Sequence, residues 1–422
     1  MKALLKSIIF SVFTLCLPAA RAADVSTGAA LSPAVSTAAV AASTVAVSMQ
    51  PAGFTLGPEV DAAWLAGIRH MYALEFDKAQ TVFENLLADK PDEPAASLAM
   101  SGLLWWRYSQ DYDIPLRQVR ETADAFEKYA NEAIDKSRSA LKKNGKDANA
   151  WFVMGTAYGL LGRWYAVERR WWKAYTHGTK GRKYLKKALN LNPGITDAYA
   201  GLGIFDYYAD TVPGALKIAA LLFIHGDKKR GLEELDRAIA GGKFFVTEAK
   251  LFKIAILVQF EQDYKTAAAL AVELRKSEPD NVFFRLSELL TRFNSNDWDG
   301  TLDEGMKFIV DFAGTANPGI ARQLALVYVA VGDAYVMKKN YYAALDMFTR
   351  GIGTAYPEKG WVTYCYLRRA QVYDILGQRG KAGPDYKTAG EREDFWSTAD
   401  DSARGLKKPY TLEEVEKQLQ SH

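Results

Sequence analysis

The stretch that decides the fold runs from Ala148 to Lys183 and reads "ANAWFVMGTAYGLLGRWYAVERRWWKAYTHGTKGRK". In its first half, Trp151, Met154, Gly155 and Tyr158 recur at three- and four-residue steps. That spacing places the side chains on one face of a helix. Because small residues on such a face let a second helix approach closely, the stretch predicts a helix that packs against a neighbour.

The same pattern recurs along the chain. A small residue, an aromatic residue four positions later and a closing proline appear at two other places: Ala79, Phe83 and Pro91, and Ala344, Phe348 and Pro357. The small residue of each predicted second helix falls near Ala79, Ala133, Gly181, Gly231, Ala267, Thr301, Ala344 and Ala382. The intervals between these positions are longer in the N-terminal half. The sequence therefore predicts about eight helix pairs, with the N-terminal ones enlarged.

These motifs resemble the tetratricopeptide-repeat (TPR) superfamily over residues 57–392, with Met154 where that family prefers leucine. The resemblance implies an all-α fold: a right-handed α-solenoid of antiparallel helix pairs whose concave face binds peptides or protein segments. A narrower region, residues 197–260, resembles the midsection of Iml2/tetratricopeptide-39-type proteins through "GLGIFDYYAD" and "GDKKRGLEEL". That likeness implies an atypical repeat scaffold and assigns no functional residue.

The first 22 residues have the pattern of a secretory signal peptide. Lys2 and Lys6 precede the short apolar run Ser7–Leu17, and Ala20-Arg21-Ala22 is a small-residue cleavage site. The run is too short for a stable membrane span, although a retained anchor stays open as an alternative. We expect an exported protein, periplasmic in a Gram-negative cell or secreted.

Residues 23–56 are rich in Ala, Ser, Thr and Val, and Asp24 is their only charged residue. Such a segment lacks the bulky side chains that offset the entropy of folding, so we expect a disordered linker. At the other end, residues 393–410 are expected to be an irregular connector. Residues 411–421 are expected to form a capping helix that Thr411 and Glu414 start as a capping box.

Charge and motif content argue against several classes of function. The chain has 53 Lys and Arg against 50 Asp and Glu, and the leader alone carries three of the bases, so the mature chain is neutral and gives no sign of a polyanion partner. None of the four histidines has a second ligand at metal-binding spacing, and no nucleotide-binding or nucleophile motif occurs. After the leader only Cys365 remains, which we interpret as a buried structural thiol. We therefore predict no enzyme, no cofactor and no metal.

The segment from Arg163 to Lys187 holds nine basic residues against one acid, Glu168, together with six aromatic residues. Read as a single helix, it places Trp164, Trp171 and Tyr175 on one face. The candidate binding residues are Trp164, Arg169, Arg170, Trp171, Trp172, Lys173 and Tyr175. Either the tryptophans fill the groove between units beneath the cations, or the segment is a patch for an acidic peptide, a glycan or anionic lipid. Two further aromatic stretches, Leu103–Asp113 and Phe205–Gly226, are candidates for the same surface.

The function that fits these features is a non-catalytic scaffold of the cell envelope that recognises a protein or peptide on its concave face. An alternative is a receptor for a small ligand, a glycan or anionic lipid that uses the aromatic and basic cleft of the enlarged units. A third hypothesis is a structural subunit that self-associates. Nucleic acid is excluded as a partner because the leader directs the chain out of the cytoplasm.

Overall fold

The computed structural model describes residues 54–111, 116–211, 226–354, 359–392 and 397–420. Within these ranges the chain forms eighteen α-helices and one π-helical turn, Leu257–Glu261, and no β-strand. The helices of the N-terminal half are α1 (Pro58–Tyr72), α2 (Phe76–Asp89), α3 (Pro94–Asp111), α4 (Leu116–Lys143), α5 (Ala148–Val167), α6 (Trp171–Leu191), α7 (Ala198–Thr211) and α8 (Lys228–Gly241). Those of the C-terminal half are α9 (Val246–Ile256), α10 (Tyr264–Ser277), α11 (Val282–Asn294), α12 (Trp298–Phe312), α13 (Pro318–Met337), α14 (Tyr341–Ile352), α15 (Lys359–Ile375), α16 (Arg379–Glu391), α17 (Thr398–Lys407) and α18 (Leu412–Gln420).

Helices α1 to α16 pack as eight consecutive pairs, which we number as units one to eight. The small residues predicted for the second helices all lie there, one in each unit, and all are buried: Ala79, Ala133, Gly181, Gly231, Ala267, Thr301, Ala344 and Ala382. Units two and three contain the longest helix pairs, with α4 reaching 28 residues. The predicted all-α solenoid of helix pairs with enlarged N-terminal units is thus confirmed.

The closest helix approach of unit three depends on glycine. A Cβ added to Gly181 on α6 would lie 3.0 Å from the backbone oxygen of Gly155 on α5, and one added to Gly162 would lie 2.9 Å from the amide nitrogen of Gly178. The two backbones are therefore in contact, with no room for a side chain between them. This explains why the opening stretch carries glycine at a helical spacing.

Six of the eight units share one turn between their two helices. Each turn contains one residue in the left-handed region, with φ between 58° and 70°: Leu74, Arg169, Gln262, Asn296, Lys339 and Gly377. The second helix begins two residues later in every case. A common backbone path therefore recurs although only one of the six residues is a glycine, the type that adopts this conformation without cost.

The first helices of the N-terminal half converge on each other. The ring centroid of Phe54 lies 5.1 Å from that of Phe152 and 6.0 Å from that of Phe244. Farther along α1, the backbone oxygen of Tyr72 accepts a 2.6 Å hydrogen bond from the side-chain amide of Asn281, 209 residues away. Units one to three therefore pack directly against units five and six, and side chains fill the inner face between them.

The predicted end of the linker is wrong, and the predicted connector after residue 392 contains a helix. The linker was predicted to extend to residue 56, but Phe54 and Leu56 are buried in the core because Phe54 fills a gap between aromatic rings of units three and five. The predicted irregular connector contains a helix, α17, which packs on the last unit. The leader, residues 23–53 of the linker and Pro357 lie outside the described residues.

Other predictions for the C-terminal part are confirmed. The backbone amide of Thr411 donates to Glu414 at 2.9 Å and the amide of Glu414 donates back to the Thr411 hydroxyl at 3.3 Å, which is the expected capping box. Cys365 is fully buried, and burial raises the pKa of its thiol well above the usual range. One described helix segment, Gly319–Met337, is long and apolar enough to cross a membrane, but 78% of it is buried inside the solenoid as the first helix of unit seven.

Candidate functional site

The predicted binding segment is divided by a tight turn. Helix α5 ends at Val167 and α6 begins at Trp171. Between them the backbone amide of Arg170 donates to the oxygen of Tyr165 at 2.7 Å, and Arg169 takes φ 58°. The interpretation of this segment as one continuous helix is wrong, because the left-handed residue reverses the chain.

Trp164 lies below the surface, on the helix before the turn. It is 2% exposed, and its indole nitrogen donates to the Glu127 carboxylate at 2.8 Å. Its ring centroid lies 4.6 Å from that of Tyr108 and 5.4 Å from that of Phe126. Trp164 is therefore a core residue and not a surface contact. This agrees with the interpretation in which the tryptophans fill the groove between units.

Trp171 and Trp172 behave in the opposite way. They open α6, and their exposed fractions are 40% and 73%. The ring centroid of Trp172 lies 5.9 Å from that of the half-buried Tyr175. Removing an aromatic ring of this size from water contributes about 3 kcal/mol of favourable free energy. The exposed pair therefore leaves apolar surface in contact with solvent, where a partner can bury it.

Basic side chains surround this pair. Arg169, Arg170 and Lys173 are exposed, and the Arg170 guanidinium lies 3.3 Å from the Glu168 carboxylate. The Arg170 guanidinium also stacks 4.8 Å from the ring centroid of Tyr165. We call the surface formed by Arg169, Arg170, Trp171, Trp172 and Lys173 the aromatic–basic turn.

The support beneath the aromatic–basic turn is rigid. Tyr165 is 6% exposed and its hydroxyl donates to Glu127 at 3.2 Å. Burial and the Glu127 charge raise the pKa of Tyr165 to about 12, so the hydroxyl stays protonated. The His177 ring packs 4.9 Å from the Tyr165 ring, and burial, together with the charges of Lys180 and Lys173, lowers its pKa, so it is neutral at pH 7.

The start of α6 lacks the side-chain cap that three of the five equivalent helices have; Glu75 of unit one and Gln378 of unit eight make no such bond either. At the same position in units five, six and seven, Asp263, Asp297 and Asn340 accept a hydrogen bond from the helix backbone. In unit three that position is Arg170, which makes no such bond. A cation at a helix N-terminus also opposes the helix dipole. The local sequence therefore departs from what would favour the helix most, a feature typical of functional positions.

Six of the seven predicted residues are thus brought together at or beside the turn: Arg169, Arg170, Trp171, Trp172, Lys173 and Tyr175. The stretch Leu103–Asp113 does not join them, since Trp105 and Trp106 are 6% and 5% exposed. Residues 212–225, which make up most of the other candidate stretch, lie outside the described residues.

Sequence reasoning missed a buried polar centre on the inner face. The Glu248 carboxylate accepts hydrogen bonds from the Tyr72 hydroxyl and from the indole nitrogen of Trp106, the latter at 3.1 Å. Burial raises the pKa of Glu248. The guanidinium of Arg163 lies 4.0 Å from the Trp105 ring centroid beside it. No sequence signal links these positions, because they come from four different units and Glu248 lies 142 residues after Trp106.

Two spaces among the described residues differ greatly in size. The cavity beside Glu248 has a volume of about 10 Å³, no more than one water molecule needs. A groove of about 750 Å³ between units five and six is open to solvent, and among its lining residues Arg285 pairs with Asp311 at 2.6 Å. Within the described ranges no group of three His, Cys, Asp or Glu side chains is arranged to hold a metal ion.

No protein-family model matches the chain, and no curated protein matches it. Solved structures do match. A tetratricopeptide repeat protein from Parabacteroides merdae ATCC 43184 is 12% identical with a TM-score of 0.29, over 83% of this chain and 100% of that one. The APC/C hetero-tetramer Cut9–Hcn1 is 14% identical with a TM-score of 0.35, over 82% and 76%. Yeast Tom70 is 11% identical with a TM-score of 0.20, over 84% and 88%.

The identities and TM-scores of these matches are low, so the fold assignment rests on the chain itself. It rests on the eight helix pairs, the buried small residue of each second helix and the left-handed turn that recurs in six units. The described part of the chain is an all-α solenoid of helix pairs.

Proposed function

We propose that the protein is a non-catalytic scaffold that binds a protein partner through the aromatic–basic turn of unit three. The observation that carries this proposal is the exposure of two adjacent tryptophans, Trp171 and Trp172, among three cations at a helix start that lacks a cap. Tryptophan and arginine are the residue types that most often dominate the energy of protein interfaces.

The chemistry of the turn favours an acidic partner segment. Arg169, Arg170 and Lys173 outnumber the single acid, Glu168, and all three are accessible. Their charges attract carboxylates at a distance, whereas the indole rings provide area that becomes dry on contact. A segment with acidic residues next to an apolar side chain complements both features.

The binding surface in this proposal is the turn and not the concave face inferred from the family resemblance. Side chains such as Trp106 and Phe244 already fill the inner face of the N-terminal half. A peptide would have to displace this core to bind there, at the cost of several buried aromatic contacts. The turn, in contrast, is available without rearrangement.

Export to the cell envelope is part of the proposal. It is supported by the signal-peptide pattern of residues 1–22, with Lys2 and Lys6 before an apolar run and a small-residue site at Ala20-Arg21-Ala22. N-terminal sequencing of the protein from fractionated cells tests it. A mature chain that begins at or near Ala23 in the envelope or medium agrees with export, and an intact Met1 in the cytoplasm contradicts it.

Charge reversal tests the site. The measured quantity is the amount of partner protein that is recovered from envelope fractions after cross-linking to the turn. Arg169→Glu with Arg170→Glu is expected to reduce it at least tenfold, since two attractive contacts become repulsive. The matched control is Lys338→Glu with Lys339→Glu at the equivalent turn of unit seven, which should leave recovery unchanged. Both variants should keep the helical circular dichroism of the parent, and equal loss of partner in the two would overturn the assignment.

The same surface chemistry also suits anionic lipid headgroups, which attract cations beside interfacial tryptophans. Co-sedimentation with vesicles containing one-third phosphatidylglycerol separates the two possibilities. The scaffold proposal predicts no sedimentation above that seen with neutral vesicles. Sedimentation that disappears with Trp172→Ala would favour a lipid receptor instead.

A further inference from the structure

Helix α18 occupies the inner side of units seven and eight. It contacts α13, the first helix of unit seven, and its apolar residues Val415 and Leu419 are 0% and 1% exposed. The side chain of Gln418, between them on the helix, accepts a 3.1 Å hydrogen bond from Gln371 on α15. We call the surface of α13 and α15 that α18 covers the inner groove.

The floor of the inner groove is charged. Arg368 on α15 donates to Asp333 on α13 at 2.7 Å, and both side chains are buried, with exposed fractions of 2% and 0%. The other end of the Arg368 guanidinium donates to Gln371 at 2.6 Å. A continuous relay therefore runs from Asp333 through Arg368 and Gln371 to Gln418 of α18.

This floor is not fully satisfied by the helix that covers it. Among the described residues, one carboxylate oxygen of Asp333 and one terminal nitrogen of Arg368 have no hydrogen-bond partner. A buried ion pair with open hydrogen-bonding positions is costlier than apolar residues of the same volume. A helix that served only as a cap would be better placed on an apolar floor.

Helix α18 is also built as a detachable element. It has nine residues, fewer than an isolated helix needs to be stable in water, so its helicity depends on its seat. The chain just before it is anchored separately: Tyr410 is 2% exposed, and its backbone amide donates to Asp374 at 2.9 Å. The contact of Tyr410 with unit eight can therefore persist when α18 leaves, because Tyr410 lies before α18 in the chain.

We propose that the inner groove of units seven and eight is a second protein-binding site, for a short amphipathic helix, and that α18 holds it in the absence of a partner. Because α18 fits the groove, its sequence indicates what the partner helix looks like. The partner has apolar residues four positions apart and an amide side chain directly before the second, as in Val415, Gln418 and Leu419. This site is independent of the aromatic–basic turn. Partner binding and α18 docking exclude each other.

The test uses the full mature chain with a specific protease site inserted between Tyr410 and Thr411. The probe is a fluorescein-labelled peptide with the sequence of Thr411–Gln420, followed by fluorescence anisotropy. The uncut chain should not bind the peptide. After cleavage and dilution the peptide should bind, and the Gln418→Ala peptide should bind about fivefold more weakly.

A cleaved chain that carries Gln371→Leu should bind the two peptides with equal affinity, because a leucine at this position cannot donate the hydrogen bond to Gln418. Failure of the cleaved chain to bind the peptide overturns the proposal, and so does loss of its cooperative thermal transition on cleavage.

Hydrogen exchange of the uncut chain provides a second measurement that does not depend on any variant. Amides of α18 should exchange at least tenfold faster than those of α15, since α18 opens locally. Equal protection of the two helices would mean that α18 leaves only on global unfolding, and this would contradict the proposal.

Discussion

The turns of units three and seven share a backbone path and differ in the residue that starts the second helix. In each, a basic residue, Arg169 or Lys339, adopts φ near 58°, and the second residue of the following helix is a largely exposed aromatic, Trp172 at 73% or Tyr342 at 71%. Unit seven then caps its helix with Asn340, whereas unit three places a second arginine there. An exposed aromatic residue at this position is thus common to units three and seven, and the replaced cap is what distinguishes unit three from unit seven.

The interiors of the two units differ as well. In unit three the helices touch through glycines, with Gly181 against the backbone of Gly155. In unit seven the predicted small residue is Ala344, in the first turn of the second helix, and it is fully buried with room for its methyl group. The closer approach in unit three keeps the two helix ends together where the turn lacks a cap. The unit therefore retains a rigid platform under a turn whose sequence does not favour helix formation.

The largest expected effect is on this close approach. Gly181→Val should lower the free energy of unfolding by about 3 kcal/mol, because the added carbons meet the facing backbone. At the predicted small residue of unit seven, Ala344→Gly should cost only about 1 kcal/mol from lost helix propensity and one methyl group. Urea denaturation followed by circular dichroism measures both, and similar losses in the two variants would show that the units do not differ in this way.

Exchanging the caps should have opposite consequences in the two units. Arg170→Asp supplies the missing acceptor and removes an unfavourable charge, so it should stabilise the protein by about 1 kcal/mol. Asn340→Arg should destabilise it by a similar amount. Thermal unfolding in low salt measures the shifts in Tm. If Arg170→Asp also reduces partner recovery, the arginine is retained for binding at the expense of stability.

The smallest effect concerns the left-handed residues. Arg169→Gly and Lys339→Gly should each raise the free energy of unfolding by about 0.5 kcal/mol, since glycine adopts positive φ without steric cost but loses more entropy on folding. The gains should be equal because the backbone is the same. Unequal gains, measured by urea denaturation, would show that side-chain contacts of one residue matter beyond its backbone conformation.

The sequence predicted the repeats better than the site. Close helix packing restricts residue size where the two helices of a unit meet, which makes the eight small residues from Ala79 to Ala382 predictable; six of them are the fourth residue of their helix. The break after Val167 was missed because Glu168, Arg169 and Arg170 are not turn formers, whereas Asn296 and Gly377 at the equivalent position of other units are. Only the three-dimensional context forces Arg169 into the left-handed region.

The missed turn is also the reason why the sequence did not predict that Trp164 is buried and Trp172 exposed. Once the chain reverses at Arg169, residues that share a face of one continuous helix belong to two different helices. The packing of Tyr72 against unit six was also beyond sequence reasoning, since its partner Asn281 is 209 residues away. Contacts of this kind depend on the curvature of the whole array, which no single repeat encodes.

The most direct test is photo-cross-linking in cells that produce the protein. A photoreactive phenylalanine analogue replaces Trp172 in one variant and Tyr342, the matched exposed position, in the other. The scaffold proposal predicts a discrete protein adduct from position 172 that is absent at position 342 and is lost when Arg169→Glu and Arg170→Glu are added. Equal adducts from both positions, or only intramolecular products at position 172, would contradict it.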